Sequence, residues 1–296
     1  MTKNRSLPRV LLAALAVTAG CAQPSGTVRI EISGEDIATM GLPVGDIAFA
    51  DGWRVSIEHV FIAVEDFEIS DGTASFPLDA PSTVIDLHAG DQTVWTFTGI
   101  PAQRLPQVGY RIARPTPETR RLGEVSQDDL DAMVAAGDSI RFVGTAVHPT
   151  HGSLGIDLGL PISSHMEDCQ SGTDATDGFV VPASGTHETQ MTIHLDHLFF
   201  DSARSEEPSL RFEAMAAAAG ADRRLEYADL ATQNLADLRG LDGGPLLDEE
   251  GMAIAYEPPS SGLPMQTLQA FVFTQALGIG HFEGEGHCDY HDHDGH

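Results

Sequence analysis

Residues 53–69, WRVSIEHVFIAVEDFEI, carry the alternation of apolar and polar side chains that decides the fold. Period two is the pattern of a strand with one face on a core, and Asp71-Gly72 marks a turn just beyond it. The length predicts one long strand, or two joined at a bulge. Working outward, residues 27–33 (TVRIEIS) repeat the alternation, as do residues 83–87, 93–97, 109–113, 139–148, 155–158 and 190–200. Pro, Gly and Asp separate these segments. So many short strands predict a mainly β protein, an antiparallel β-sandwich.

Helical signals are fewer. Ser126 stands as an N-cap with Asp129 three residues on, predicting a helix that Gly137 stops. After residue 207 the period changes. Helices are expected over 208–219, 225–239 and 265–277, each closed by a glycine. The reading is therefore a β-sandwich domain over 27–203, a packed α-helical C-terminal part over 204–280, and a His-rich tail over 281–296.

The first twenty residues read as a lipoprotein signal peptide. Lys3, Arg5 and Arg9 precede the apolar run 10–17, and Thr18-Ala19-Gly20 precedes Cys21, the expected site of lipidation. An ordinary secretory signal cut near Ala22 is the alternative. The apolar run is too short to span a bilayer, which needs roughly 20 residues. Residues 21–26 would be the linker of a tethered domain, and Ala22 after the cysteine points to the cell outer membrane, facing the periplasm or the exterior. Export also frames the other cysteines. Cys169 and Cys288 make an even pair suited to a disulfide in an oxidising compartment, with Cys288 as a thiolate metal ligand the competing reading.

Charge excludes one class of partner. The chain carries 44 acidic against 16 basic side chains, formally −28, and its only lysine is Lys3. Such a field repels nucleic acid and attracts cations, and it also serves solubility in salty surroundings.

Potential metal ligands concentrate in two places. In residues 192–201 (TIHLDHLFFD), a strand would put His194 and Asp196 on one face and His197 on the other, so a shared ion requires a bulge. Imidazole and carboxylate together suit zinc or copper. His88 and His59 are the candidates to assist from neighbouring strands; His148, His151 and His281 read individually as structural. The tail, HCDYHDHDGH, offers His287, His291, His293 and His296 as a flexible trap for divalent transition ions. Calcium-loop fragments near Asp174 and over 219–230 lack the full ligand pattern.

No nucleophile elbow, phosphate loop or dinucleotide fingerprint is present, and His187-Glu188 has Met191 where a zinc-protease helix needs its second histidine. The chain is therefore read as a non-enzyme. Its expected role is to bind zinc or copper, as a buffer or for delivery to an outer-membrane transporter or other envelope protein. The alternative is an envelope interaction module for protein or polysaccharide.

Gly52-Trp53, the Val-Ile-Asp-Leu segment at 84–87, the His-x-Asp-His-Leu-Phe-x-Asp segment at 194–201 and the Gly-His-x-x-Gly-x-Gly-x-Cys ending at 280–288 occur in that order. In this the chain resembles exported lipoproteins of GC-rich Gram-negative bacteria. The order of strands more distantly resembles the copper-binding periplasmic family that accompanies methanobactin uptake, whose β-rich members use histidines and a modified tryptophan. Trp53 and Trp95 have no clear equivalent there, so no copper ligand is carried over; the resemblance implies a metal-linked role.

Overall fold

The structure is a computed structural model describing residues 23–172, 176–248, 251–260 and 265–292. The signal segment, Cys21, Asp174, His293 and His296 lie outside the described residues. Strand makes up 43% and helix 18%, so the protein is mainly β as the alternation implies.

In chain order the strands are β1 Ser25–Ser33, β2 Arg54–Ser70, β3 Thr83–Asp86, β4 Gln92–Pro101, β5 Arg104–Leu105, β6 Gln107–Ile112, β7 Arg120–Arg121 and β8 Ile140–His148. They continue with β9 Gly152–Leu160, β10 Ser164–Glu167, β11 Phe179–Val180, β12 Thr186–Ile193, β13 Arg224–Glu226, β14 Gly280–Phe282 and β15 Asp289–Asp292. The α-helices are α1 Glu35–Met40, α2 Gln127–Ala136, α3 Glu213–Ala218 and α4 Leu268–Leu277. A four-stranded sheet has the order β14-β12-β1-β4, and a nine-stranded sheet runs β13-β9-β8-β2-β6-β10-β15 with β3 and β7 attached to β2. The sheets are mixed, because β1 pairs parallel with β12 and β13 parallel with β9.

Strand β2 is the spine of the larger sheet. It is one continuous strand, with register shifts opposite β8 between Ile57 and His59 and opposite β6 between Glu65 and Glu68. Val60, Ile62 and Val64 join Ile30 and Ile32 of β1 and Trp95 and Phe97 of β4 in one core between the sheets. Phe61 and Ala63 point the opposite way, where Leu130 and Met133 of α2 cover them. That helix begins at the expected place: Ser126 and Asp129 form a reciprocal capping box, and Gly137 ends it in the left-handed conformation.

The C-terminal part differs from expectation, its helical content being minor. Residues 208–212 are held extended, because Asp201 accepts hydrogen bonds from the Ser209 amide and from Arg211 Nε, so α3 starts only at Glu213. Over 225–239 the expected helix is replaced by β13 and a 3₁₀ turn, Tyr227–Thr232. There the Gln233 side chain donates to the Arg239 carbonyl and accepts from the Arg239 amide, closing a loop incompatible with helical hydrogen bonding. The same C-terminal region supplies β14 to one sheet and β13 and β15 to the other.

Candidate metal centre

The segment read as a strand through residue 200 instead leaves the sheet at Ile193. Residues Leu195–Phe199 form a 3₁₀ turn with His194 at its N-cap. Side chains three apart eclipse in that geometry, so His194 and His197 converge without a bulge. Their ring centroids are 5.4 Å apart. One ligand atom each from His194, Asp196 and His197 falls within 4.8 Å of the others.

Strand pairing brings in the rest. Parallel register sets Ser33 of β1 beside Thr192 of β12, so Glu35, two residues on, arrives next to His194. Its Oε2 lies 4.0 Å from His194 Nδ1, and Glu35, His194 and Glu285 form a second group of potential ligands. On the other side of β12, antiparallel register sets His281 of β14 beside Thr192. The His281 ring lies 4.1 Å from that of His194 and 5.2 Å from that of His197, and His287 follows at 5.3 Å from His281. His194, Asp196, His197, His281, Glu285 and His287 line a cavity of about 670 Å³, with Glu35 outside its lining. His194 and His281 form its buried floor, while Glu285 and His287 are exposed at its rim.

Backbone carbonyls orient the rings. A carbonyl only accepts, so His194 Nε2 carries the proton it donates to the Gly284 carbonyl at 3.2 Å. Its Nδ1 faces Glu35. The carbonyls of Gly278 and Glu285 similarly approach the rings of His197 and His281. Imidazoles that hold metal are tethered in this manner through the nitrogen that does not ligate.

Two buried atoms in the cluster, Asp196 Oδ1 and His281 Nδ1, have no hydrogen-bond partner. Leaving such groups dry and unpaired is costly, roughly 1–3 kcal/mol each, unless something else satisfies them. The electrostatics point the same way. Burial, reinforced by neighbouring His194, His197 and His287, pushes the His281 imidazole down to about 3. Burial also lowers His197, against the pull of Asp196. Glu35 is raised, first by burial and further by Glu285 and Asp196, with His194 opposing. Neutral imidazoles and crowded carboxylates are the protonation states a divalent cation requires, and bound-ion ligand atoms lie about 3–4 Å apart, within reach of small side-chain rotations. Glu35 also sits at φ 55, a conformation seldom adopted by a residue with a side chain and often found at working sites.

The remaining sequence candidates lie elsewhere. His59 Nδ1 pairs with Asp86 Oδ2 at 2.7 Å and its ring stacks on Phe61; His88 Nδ1 donates to the Ala38 carbonyl at 2.9 Å. Among the described residues neither belongs to a group of three potential ligands, which corrects the expectation that they assist His194. His291 sits in β15 and is not part of a loose arm. Cys288 is disulfide-bonded to Cys169, which removes it as a thiolate ligand and fixes the neighbouring His287. Glu35 and Glu285 were not legible as site residues. The only signal was position, one directly after a strand and the other between glycines beside His287.

Comparison with protein-family models, curated proteins and solved structures finds no match.

Proposed function

We propose that the protein binds a divalent transition metal, zinc or copper, in the cell envelope, and either buffers it or passes it to an uptake partner in the outer membrane. The observation that carries this reading is the convergence of His194, His197, His281 and Asp196 on one cavity with two buried ligand atoms left unpaired. Imidazole-rich sets with carboxylate support favour zinc and copper over calcium or magnesium, which prefer oxygen. The exposed rim of Glu285 and His287 leaves the ion an exit, as exchange with a partner needs and as a closed structural site would not provide.

Anchoring through Cys21 completes the proposal. It would hold the cavity near the membrane while leaving the folded domain in the aqueous compartment.

The test is metal analysis of the protein purified without an affinity tag, followed by calorimetric titration with Zn²⁺ and Cu²⁺. A high-affinity equivalent is expected, and His194→Ala and His281→Ala should each weaken it by more than about 100-fold. Titration showing no binding at the cavity, or affinity unchanged in both variants, would sink the reading. Circular dichroism of the variants separates lost ligation from lost fold.

A further inference from the structure

We infer that the ion reaches the buried centre through an acidic groove and a hand-over position formed by Glu35, His194 and Glu285. Such a route presupposes the metal binding proposed above and adds the way in. Strand β1 lies between β4 and β12, with Ile32 opposite Gln92 and Glu31 opposite Gln190. Asp91, one residue before β4, and Gln190 therefore flank the end of β1 where the chain turns into α1, and Gln190 Nε2 donates to Asp91 Oδ2 at 3.3 Å. Beside them opens a groove of about 590 Å³ whose lining includes Glu35, Asp36, Asp46 and Asp91. All four acids are exposed, and none of the described residues lining the groove is basic. Carboxylates along a concave wall raise the local concentration of cations.

An acidic groove alone selects no ion. Selection begins where the groove meets the imidazole cavity: Glu35 lines the one, His194 lines the other, and Glu35 Oε2 lies 4.0 Å from His194 Nδ1. Glu285 lines the cavity with His194. It comes from the turn after β14, which is held against β12 by the Glu283 amide on the Gln190 carbonyl and the Gly284 amide on Thr192 Oγ1. One ligand atom each from Glu35, His194 and Glu285 falls within 4.8 Å of the other two, and the same limit holds for His194, Asp196 and His197. Each set converges, and His194 belongs to both.

The shared imidazole sets the order of events. His194 is 4% exposed and holds the Gly284 carbonyl through Nε2, so one ring nitrogen remains to give to an ion. The two sets are then successive positions for a single ion and are not filled together. The outer set has two exposed carboxylates and one imidazole, whereas the inner set has two imidazoles and one carboxylate with His281 beside them. Imidazole suits Zn²⁺ and Cu²⁺ better than carboxylate does, so the ion moves inward by exchanging Glu35 and Glu285 for Asp196 and His197 while His194 stays bound.

Stopped-flow mixing of the full chain with Zn²⁺, and of the loaded chain with saturating EDTA, tests the route beside calorimetric titration. A gateway speeds entry and exit alike. Glu35→Gln and Glu285→Gln should therefore each slow both by about 10-fold and change the dissociation constant by less than about 3-fold. Glu58→Gln removes an exposed carboxylate of β2 that lines neither the groove nor the cavity, and it should leave both rates at their wild-type values. Faster release from E35Q and E285Q would make these carboxylates ordinary ligands, unchanged rates would give them no part, and equal slowing in E58Q would assign the effect to net charge. Each of those results overturns the route while the buried centre stands; wild type that binds no Zn²⁺ removes both. The two glutamates lie on different elements, so one variant keeps the test decisive if the other unfolds.

Discussion

At the scale of single residues, His281 decides the chemistry. Its imidazole is 5% exposed, has an unpaired Nδ1 and is depressed to about 3. A metal bound there as proposed would meet a neutral ring that needs no deprotonation at ordinary pH. In metal-free protein the same depression has a stability cost with a definite sign. Between pH 6.5 and about 3 the unfolded chain binds a proton at this position that the folded chain refuses, so stability falls as pH falls through that window. The loss is at most about 5 kcal/mol if the whole shift is realised. Urea unfolding of metal-free wild type and His281→Gln from pH 7 to pH 4 is expected to show a shallower decline for the variant. Equal slopes would mean that the ring is not shielded as described. Little of this was legible from sequence. His281 read as one more histidine after a helix, because its burial depends on β14 joining β12, a pairing between residues about 90 positions apart in the chain.

Among the elements, the turn from β14 to β15 is sterically exacting. A Cβ on Gly286 would collide with the carbonyl oxygens of Gln170 and Phe282, so the chain passes there only because the residue has no side chain. Gly286→Ala is expected to cost about 2–3 kcal/mol and to weaken metal binding by displacing Glu285 and His287. Thermal unfolding with and without Zn²⁺ checks both. The long strand and the helix at residues 127–136 were legible because each is specified locally, by alternation in one case and by a Ser126–Asp129 cap in the other. The 3₁₀ turn after Ile193 was not, since TIHLDHLFF suits a strand as well. Its Leu195, Leu198 and Phe199 are buried, so tertiary packing overrides the local alternation. Of the helices expected beyond residue 207, the third forms as α4, the first shortens to α3 and the second is lost. Glycine stops and helix-forming residues are present there, but Asp201 and Gln233 compete for the backbone groups that a helix needs.

For the molecule as a whole, the Cys169–Cys288 link closes a separation of 119 residues. In the chain-entropy model a loop of this length stabilises the fold by roughly 4–5 kcal/mol. Reduction, or Cys169→Ser with Cys288→Ser, should lower the unfolding midpoint. An unchanged midpoint would show that the link contributes nothing to the fold. Cys21→Ala should release the protein from the membrane fraction of the native cell; retention would exclude the lipid anchor. His194, His281 and His287 bring the middle and last parts of the chain to one cavity, and Glu35 from its early part stands beside His194. An unfolded chain thus has imidazoles but no assembled pocket. If the chain is exported and holds metal as proposed, an ion would be held only after folding is complete, and the unfolded chain would pass the cytoplasmic metal pool without a formed site.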